Sequence, residues 1–171
     1  MTDKIDIDFD FRQDSKCGDP DRDSKKLYKT HKLLWSKELP NGKILNLQII
    51  EDSSRRLLLK SNLTMNLSSD RMCPHFDGKY NNKFDGCLSD NELEELKHKV
   101  RTIGGHIVFP ASNKNGFTIN QARGVSRLIC DRFDLTLECI RRFYKDEESP
   151  LLKILINYKD FFDLFVDFKG Y

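Results

Sequence analysis

The chain has 171 residues, 38% hydrophobic and 33% charged, with a formal net charge of +2. That is enough chain and enough apolar content for one domain with its own core, which excludes disorder. It lacks the long apolar run of a membrane span and the strong positive charge of a dedicated nucleic-acid binder. The charge is uneven along the chain. Residues 1–23 hold eight aspartates against four Lys/Arg, and residues 24–60 hold nine Lys/Arg against three acids. Such polarity bears on partners rather than on fold. The acidic opening "MTDKIDIDFDF" has none of the basic-then-apolar character of a secretory signal. Five cysteines at irregular spacing argue against a disulfide framework and for reduced, mostly buried thiols. Both features lead us to expect a cytoplasmic protein that makes no use of a membrane.

In chain order, "IDIDFDF" at residues 5–11 alternates apolar and acidic residues and predicts a half-buried strand. Ser24 caps an expected helix, "KKLYKTHKLLW", and "LPNGK" is a turn built on Pro40, Asn41 and Gly42. "ILNLQII" and "RLLLKSN" on either side of "EDSSR" read as a hairpin. Residues 63–88 have no hydrophobic period and read as a long loop. "SDNE" at residues 89–92 is a capping box opening a short helix, which Gly104–Gly105 closes before a strand at "HIVFP". Residues 127–144 predict one helix, with an apolar arc of about 260° at ~100° per residue. Arg132 falls within that arc, which implies a buried cation held by a carboxylate from another segment. Ser149 and Pro150 then start a final Phe-rich amphipathic helix. The expected fold is α+β, a single domain over residues 1–171. Antiparallel strands of the N-terminal half and middle pack on C-terminal helices.

The stretches "LWSKELPNGK", "LSSD", "IGGHIVFP", "TINQARG", "DRFDLTLECIRRFY" and "YKDFFDLFVDFKGY" together resemble an uncharacterised bacterial family, a domain of unknown function. The likeness runs from about Leu27 to the last residue. Members of that family continue past the final "FKGY", so the chain resembles a short or truncated member. The resemblance implies no activity, and no residue takes a role from it.

Metal chemistry finds little support. "DPDRDS" imitates a calcium loop but places Ser24 where glycine is needed and Thr30 where a bidentate glutamate belongs. Cys73, His75, Cys87 and His98 have zinc-binding atoms at spacings that fit no standard site. We therefore expect neither metal nor cofactor. There is no Walker loop, no G-x-G-x-x-G and no G-x-S-x-G.

Two patches remain. Lys25, Lys29 and Lys32 share a helix face bordered by Tyr28 and Trp35, with Arg55 and Arg56 in the following turn. This pattern grips nucleic-acid phosphates, though a solvated lysine face with its aromatics in the core explains it more simply. Asn120, Gln121 and Arg123 precede the expected helix start and Arg132 projects from it, an arrangement that suits a phosphate. The best-supported function is thus binding of a nucleotide or nucleic-acid phosphate through an Arg-rich site. Were it an enzyme, His106, Asp131, Asp134 and Glu138 would be its acid/base candidates. The alternative is a non-catalytic interaction module whose Phe-rich last helix meets a protein partner or a second copy.

Overall fold

The computed structural model describes residues 5–63, 65–71, 87–112, 117–129 and 132–171. Its centre is a four-stranded antiparallel sheet of order β1-β2-β3-β4, with β1 at Gln48–Glu51, β2 at Leu57–Lys60, β3 at Asn66–Arg71 and β4 at His106–Pro110. Two short helices precede the sheet, α1 (Pro20–Asp23) and α2 (Lys25–Trp35). Helix α3 (Asp90–Lys99) lies between β3 and β4 in the chain. Helices α4 (Ile119–Val125), α5 (Phe133–Phe143), α6 (Leu152–Ile156) and α7 (Lys159–Phe162) follow. The fold is α+β, as the chain order of strand and helix signals implies.

Where the governing interactions are local, the sequence reading holds. The Ser24 hydroxyl accepts from Leu27 N at 3.1 Å, capping α2. Ser89 and Glu92 form a reciprocal capping box at the start of α3. Gly42 takes φ +81° in the Pro40 turn, and its N–H donates to Leu39 O at 2.8 Å. The hairpin pairs Gln48 with Lys60 through to Glu51 with Leu57. Its turn is held by Asp52 Oδ1, which accepts from Ser54 N and Arg56 N, both at 2.9 Å.

Five expectations are corrected. Residues 5–11 are not a strand. Asp6 accepts the N–H of Asp8 at 3.2 Å and Asp10 accepts that of Arg12 at 2.9 Å. These local bonds satisfy the backbone without a ladder and lead into a 3-10 turn at Phe11–Asp14. Phe11 is buried and Ile7 exposed, which alternation along a strand would not produce. Part of the expected loop at 63–88 is β3, a central strand paired on both sides; residues 72–86 lie outside the described set. The helix expected at 127–144 begins at Phe133. Arg132 is its extended N-cap, with φ −84° and ψ 125°, and the side chain is 55% exposed beside Asp134. The buried ion pair expected at Arg132 is therefore absent there; an extended residue at a helix start lets the guanidinium reach water and escape desolvation. The last helix is broken into α6 and α7, because Tyr158 leaves helical geometry and its buried hydroxyl donates to Ser112 O at 2.9 Å. Finally, Cys139 is buried but Cys17 and Cys87 are exposed, and all three thiols are free.

The core lies between the sheet and the C-terminal helices. Leu59, Leu67 and Phe109 from the strands meet Ile140, Leu155, Phe161 and Phe162, all sealed from solvent. No described helix is long and apolar enough to cross a membrane.

Candidate functional site

The phosphate cluster expected around residues 120–132 divides in two. Thr118 and Gln121 form a capping box, so Asn120, Gln121 and Arg123 sit inside α4 rather than before a helix. Arg123 is 1% exposed, and its Nε and Nη2 donate to Asp70 Oδ2 at 3.1 and 2.6 Å. Asn120 Oδ1 accepts from the same Nε at 3.1 Å. This guanidinium is thus matched by a carboxylate from β3, the arrangement anticipated for Arg132. Arg132 itself is the N-cap of α5 and pairs with Asp134 at 2.9 Å, both in solvent.

The other candidates are placed as follows. Lys25, Lys29 and Lys32 are exposed on α2 without an ion pair among the described residues, whereas Tyr28 is fully buried and Trp35 packs on Phe161 and Phe165. The aromatics therefore turn away from the lysine face. Arg55 is exposed, and Arg56 is tied to Asp52 at 2.9 Å. Glu138 is clamped by Arg141 and Arg142 at 2.7–2.8 Å, and these hydrogen bonds hold its carboxyl down at about 2, unsuited to a general base. Asp131, Cys73 and His75 lie outside the described residues; Cys87 and His98 are exposed. No group of three metal-binding side chains occurs among the described residues. Phe161, Phe162 and Phe165 are buried within the chain itself.

His106 belongs to a cluster that the sequence reading only touched. Helix α1 brings Asp21 to the face of β3, where Ser69 Oγ donates to Asp21 Oδ1 at 3.0 Å. On α2, His31 Nε2 lies 3.0 Å from the same Ser69 Oγ. At the start of β4, His106 Nε2 points at Asp21 Oδ1 from 3.5 Å, and Arg71 Nε is 3.3 Å from Asp21 Oδ2. Tyr28 closes the arrangement, its hydroxyl donating to Asp21 O at 2.8 Å and accepting from Ser69 N at 3.3 Å.

Burial governs the charges here. It pushes the Asp21 carboxyl up to about 8, with the nearby Asp70 adding to it and Arg71 opposing. Burial lowers His31 to about 3, helped by His106. It also lowers His106 to about 4, against the hydrogen bond that His106 makes to Thr102 O. Both imidazoles are neutral near pH 7.

The two histidines also line an open cleft of about 380 Å³. Leu34 and Trp35 from α2, Ile103, Ile107 and Val108, Phe133 and Leu137 from α5, and Phe168 and Tyr171 from the C-terminal tail form its walls. Tyr171 is fastened through its hydroxyl to Val108 O at 3.3 Å. Phe133 is the first residue of α5, whose N-cap makes no side-chain hydrogen bond to the first turn. The start of this eleven-residue helix thus borders the cleft through Phe133, with Arg132 immediately before it. An apolar, aromatic-walled cleft with a few convergent polar groups is the form small-molecule sites take.

A family of unknown function (DUF6994) matches residues 5–171, and the chain belongs to that family. No curated protein and no solved structure matches it.

Proposed function

We propose that the protein binds a nucleotide, its base in the cleft and its phosphate at the start of α5. The observation that carries this reading is a cleft walled by aromatic rings and two neutral imidazoles, which Phe133 borders from the first position of α5, next to Arg132. A planar heterocycle gains stacking and apolar burial against Trp35, Phe133 and Phe168, at roughly 1–3 kcal/mol per stacked base. A phosphate gains the free N–H groups and positive end of α5 and displaces Asp134 from Arg132. The exposed lysines of α2 and Arg55 contribute a positive field that attracts the ligand and falls off with salt. A cytosolic bacterial setting goes with this reading, on the strength of the three free thiols and the resemblance noted above. The interaction-module alternative has less support, since the phenylalanines it would use are packed inside the chain.

Trp35 is the only tryptophan of the chain, so its emission reports on the cleft without interference from another indole. Titration with nucleoside monophosphates should quench or shift that emission saturably, and the affinity should fall as salt rises. Unchanged emission with all four common monophosphates at millimolar concentration would refute the reading. Concentration-dependent self-association in the same samples would favour the alternative.

A further inference from the structure

The hydrogen-bonding requirements around Asp21 fix where the protons lie, and with them the polarity of the cleft. His106 Nδ1 is 2.8 Å from Thr102 O, which can only accept, so Nδ1 carries the proton and Nε2 the lone pair. That Nε2 is buried without a hydrogen-bond partner and aimed at Asp21 Oδ1. Two acceptors face each other in a dry site only if one of them holds a proton. The raised Asp21 carboxyl supplies it near pH 7.

With its own proton directed at His106 Nε2, the Asp21 carboxyl can only accept from Ser69, whose single hydroxyl proton is thereby committed. On its other side Ser69 must accept, so His31 Nε2, 3.0 Å away, is the donor. A neutral imidazole with its proton on Nε2 has its lone pair on Nδ1. His31 Nδ1 has no hydrogen-bond partner among the described residues, and the ring, 2% exposed, lines the cleft.

We infer that His31 Nδ1 is the hydrogen-bond acceptor of the cleft, so that the site takes a planar ring presenting an N–H donor. The Ser69–Asp21 pair is the device that holds His31 in this tautomer. Ser69 and Asp21 are positioning residues that act through His31 and do not themselves touch the ligand. This deepens the nucleotide reading and rests on it: every common nucleobase carries an amino or imino N–H, so the acceptor sets which edge of the base faces the floor of the cleft. A ring with only acceptors on that edge leaves two lone pairs opposed and is rejected, because an unpaired buried polar group costs more than a made hydrogen bond returns.

Nitrogen-15 NMR of the histidine rings at pH 7, assigned with single-histidine variants, is the first test. It should show His31 protonated at Nε2 and His106 at Nδ1, and Ser69→Ala should release His31 into a mixture of tautomers. A wild-type His31 protonated at Nδ1 would overturn the inference. The second test is binding of indole and benzofuran, which share shape and differ in the N–H, followed by amide shifts. Indole should bind at least about tenfold tighter to the wild type, and Ser69→Ala should shrink that ratio several-fold. Equal binding of the two probes, binding of neither, or an unchanged ratio in Ser69→Ala would each count against the acceptor role. Monophosphate binding without a donor preference would sink this inference alone. A donor preference without monophosphate binding would sink the nucleotide reading and leave the acceptor in place.

Discussion

A guanidinium cannot shed its proton to suit an apolar site, so a buried arginine must bring a carboxylate with it. Arg123 obeys this through Asp70, 53 residues earlier in the chain. Its burial was hard to see in "TINQARG" because the partner lies in a stretch with no periodic pattern. Arg123→Met should cost about 3–5 kcal/mol in chemical denaturation, since it removes the buried guanidinium that bonds the Asp70 carboxylate. Adding Asp70→Leu should return part of that loss, and a cost below about 1 kcal/mol would mean that the pair is not desolvated. Asp21 carries the opposite lesson, a carboxyl raised from 3.8 to about 8. Between those values the folded chain keeps a proton that the unfolded chain releases. Its stabilisation is therefore complete below about pH 4 and is lost as the pH rises through 8, at about 1.4 kcal/mol per pH unit. The lowered His31 and His106 act with the opposite sign, their contribution complete above about pH 6.5 and lost towards pH 4. The cluster is thus most favourable near pH 6.5. Asp21→Asn should remove the fall between pH 6.5 and 8, flattening that limb by about 1–2 kcal/mol relative to wild type. Parallel stability curves for the two proteins would contradict the raised carboxyl.

Among the elements, those with their information in a few adjacent residues were legible. The capped starts of α2 and α3, the Pro40 turn, the hairpin and β4 each rest on local bonds or on a short apolar run. Strand β3 was not legible, because "NLSSDR" is polar and becomes a strand only between β2 and β4, which satisfy both of its edges. The segment at residues 5–11 misled in the other direction: aspartates that alternate with apolar residues are also the residues best able to bond their own backbone. The start of α5 was misplaced because the apolar arc continues upstream of it while the backbone at Arg132 does not. That start carries its own test. Ser at position 132 would cap the first turn as Ser24 caps α2, stabilising the chain by about 0.5–1 kcal/mol. The same substitution removes the cation that the phosphate needs. Arg132→Ser should therefore unfold at higher denaturant yet bind nucleoside monophosphates several-fold more weakly, with unmodified nucleosides unaffected. A drop in nucleoside binding as well would move the phosphate site away from α5.

At the scale of the molecule, the cleft is invisible in the sequence because four distant stretches build it. Residues 31–35, 103–108, 133–137 and 168–171 meet only in the folded chain, with the tail bonded to Val108 O. Trp35 near His31 on one helix is the local sign. The reading that turns the aromatics of this helix into the core, away from the lysine face, is the one its packing on Phe161 and Phe165 follows. The anchoring of the tail is specific. Gly170 N donates to Asp167 Oδ1 at 2.8 Å, and Tyr171 stacks edge-on against Phe165 with ring centroids 5.0 Å apart. A Cβ at position 170 would collide with the backbone oxygen of Phe165 and come within 3.0 Å of the Pro40 ring. Neither neighbour can yield easily, since Phe165 is buried and Pro40 holds the turn. Gly170→Ala should therefore lift the tail rather than dent the core, carrying Phe168 and Tyr171 off the cleft at a cost of about 1–3 kcal/mol. With those walls displaced, Trp35 meets water, so its emission should move to longer wavelength and nucleotide affinity should fall about tenfold. Tyr171→Phe makes the control: it keeps the ring packing, forfeits only the bond to Val108 O, and should leave the emission in place. If Gly170→Ala instead binds and emits as the wild type does, the tail is not a wall of the site, and the cleft must close its ligand from the α5 side alone.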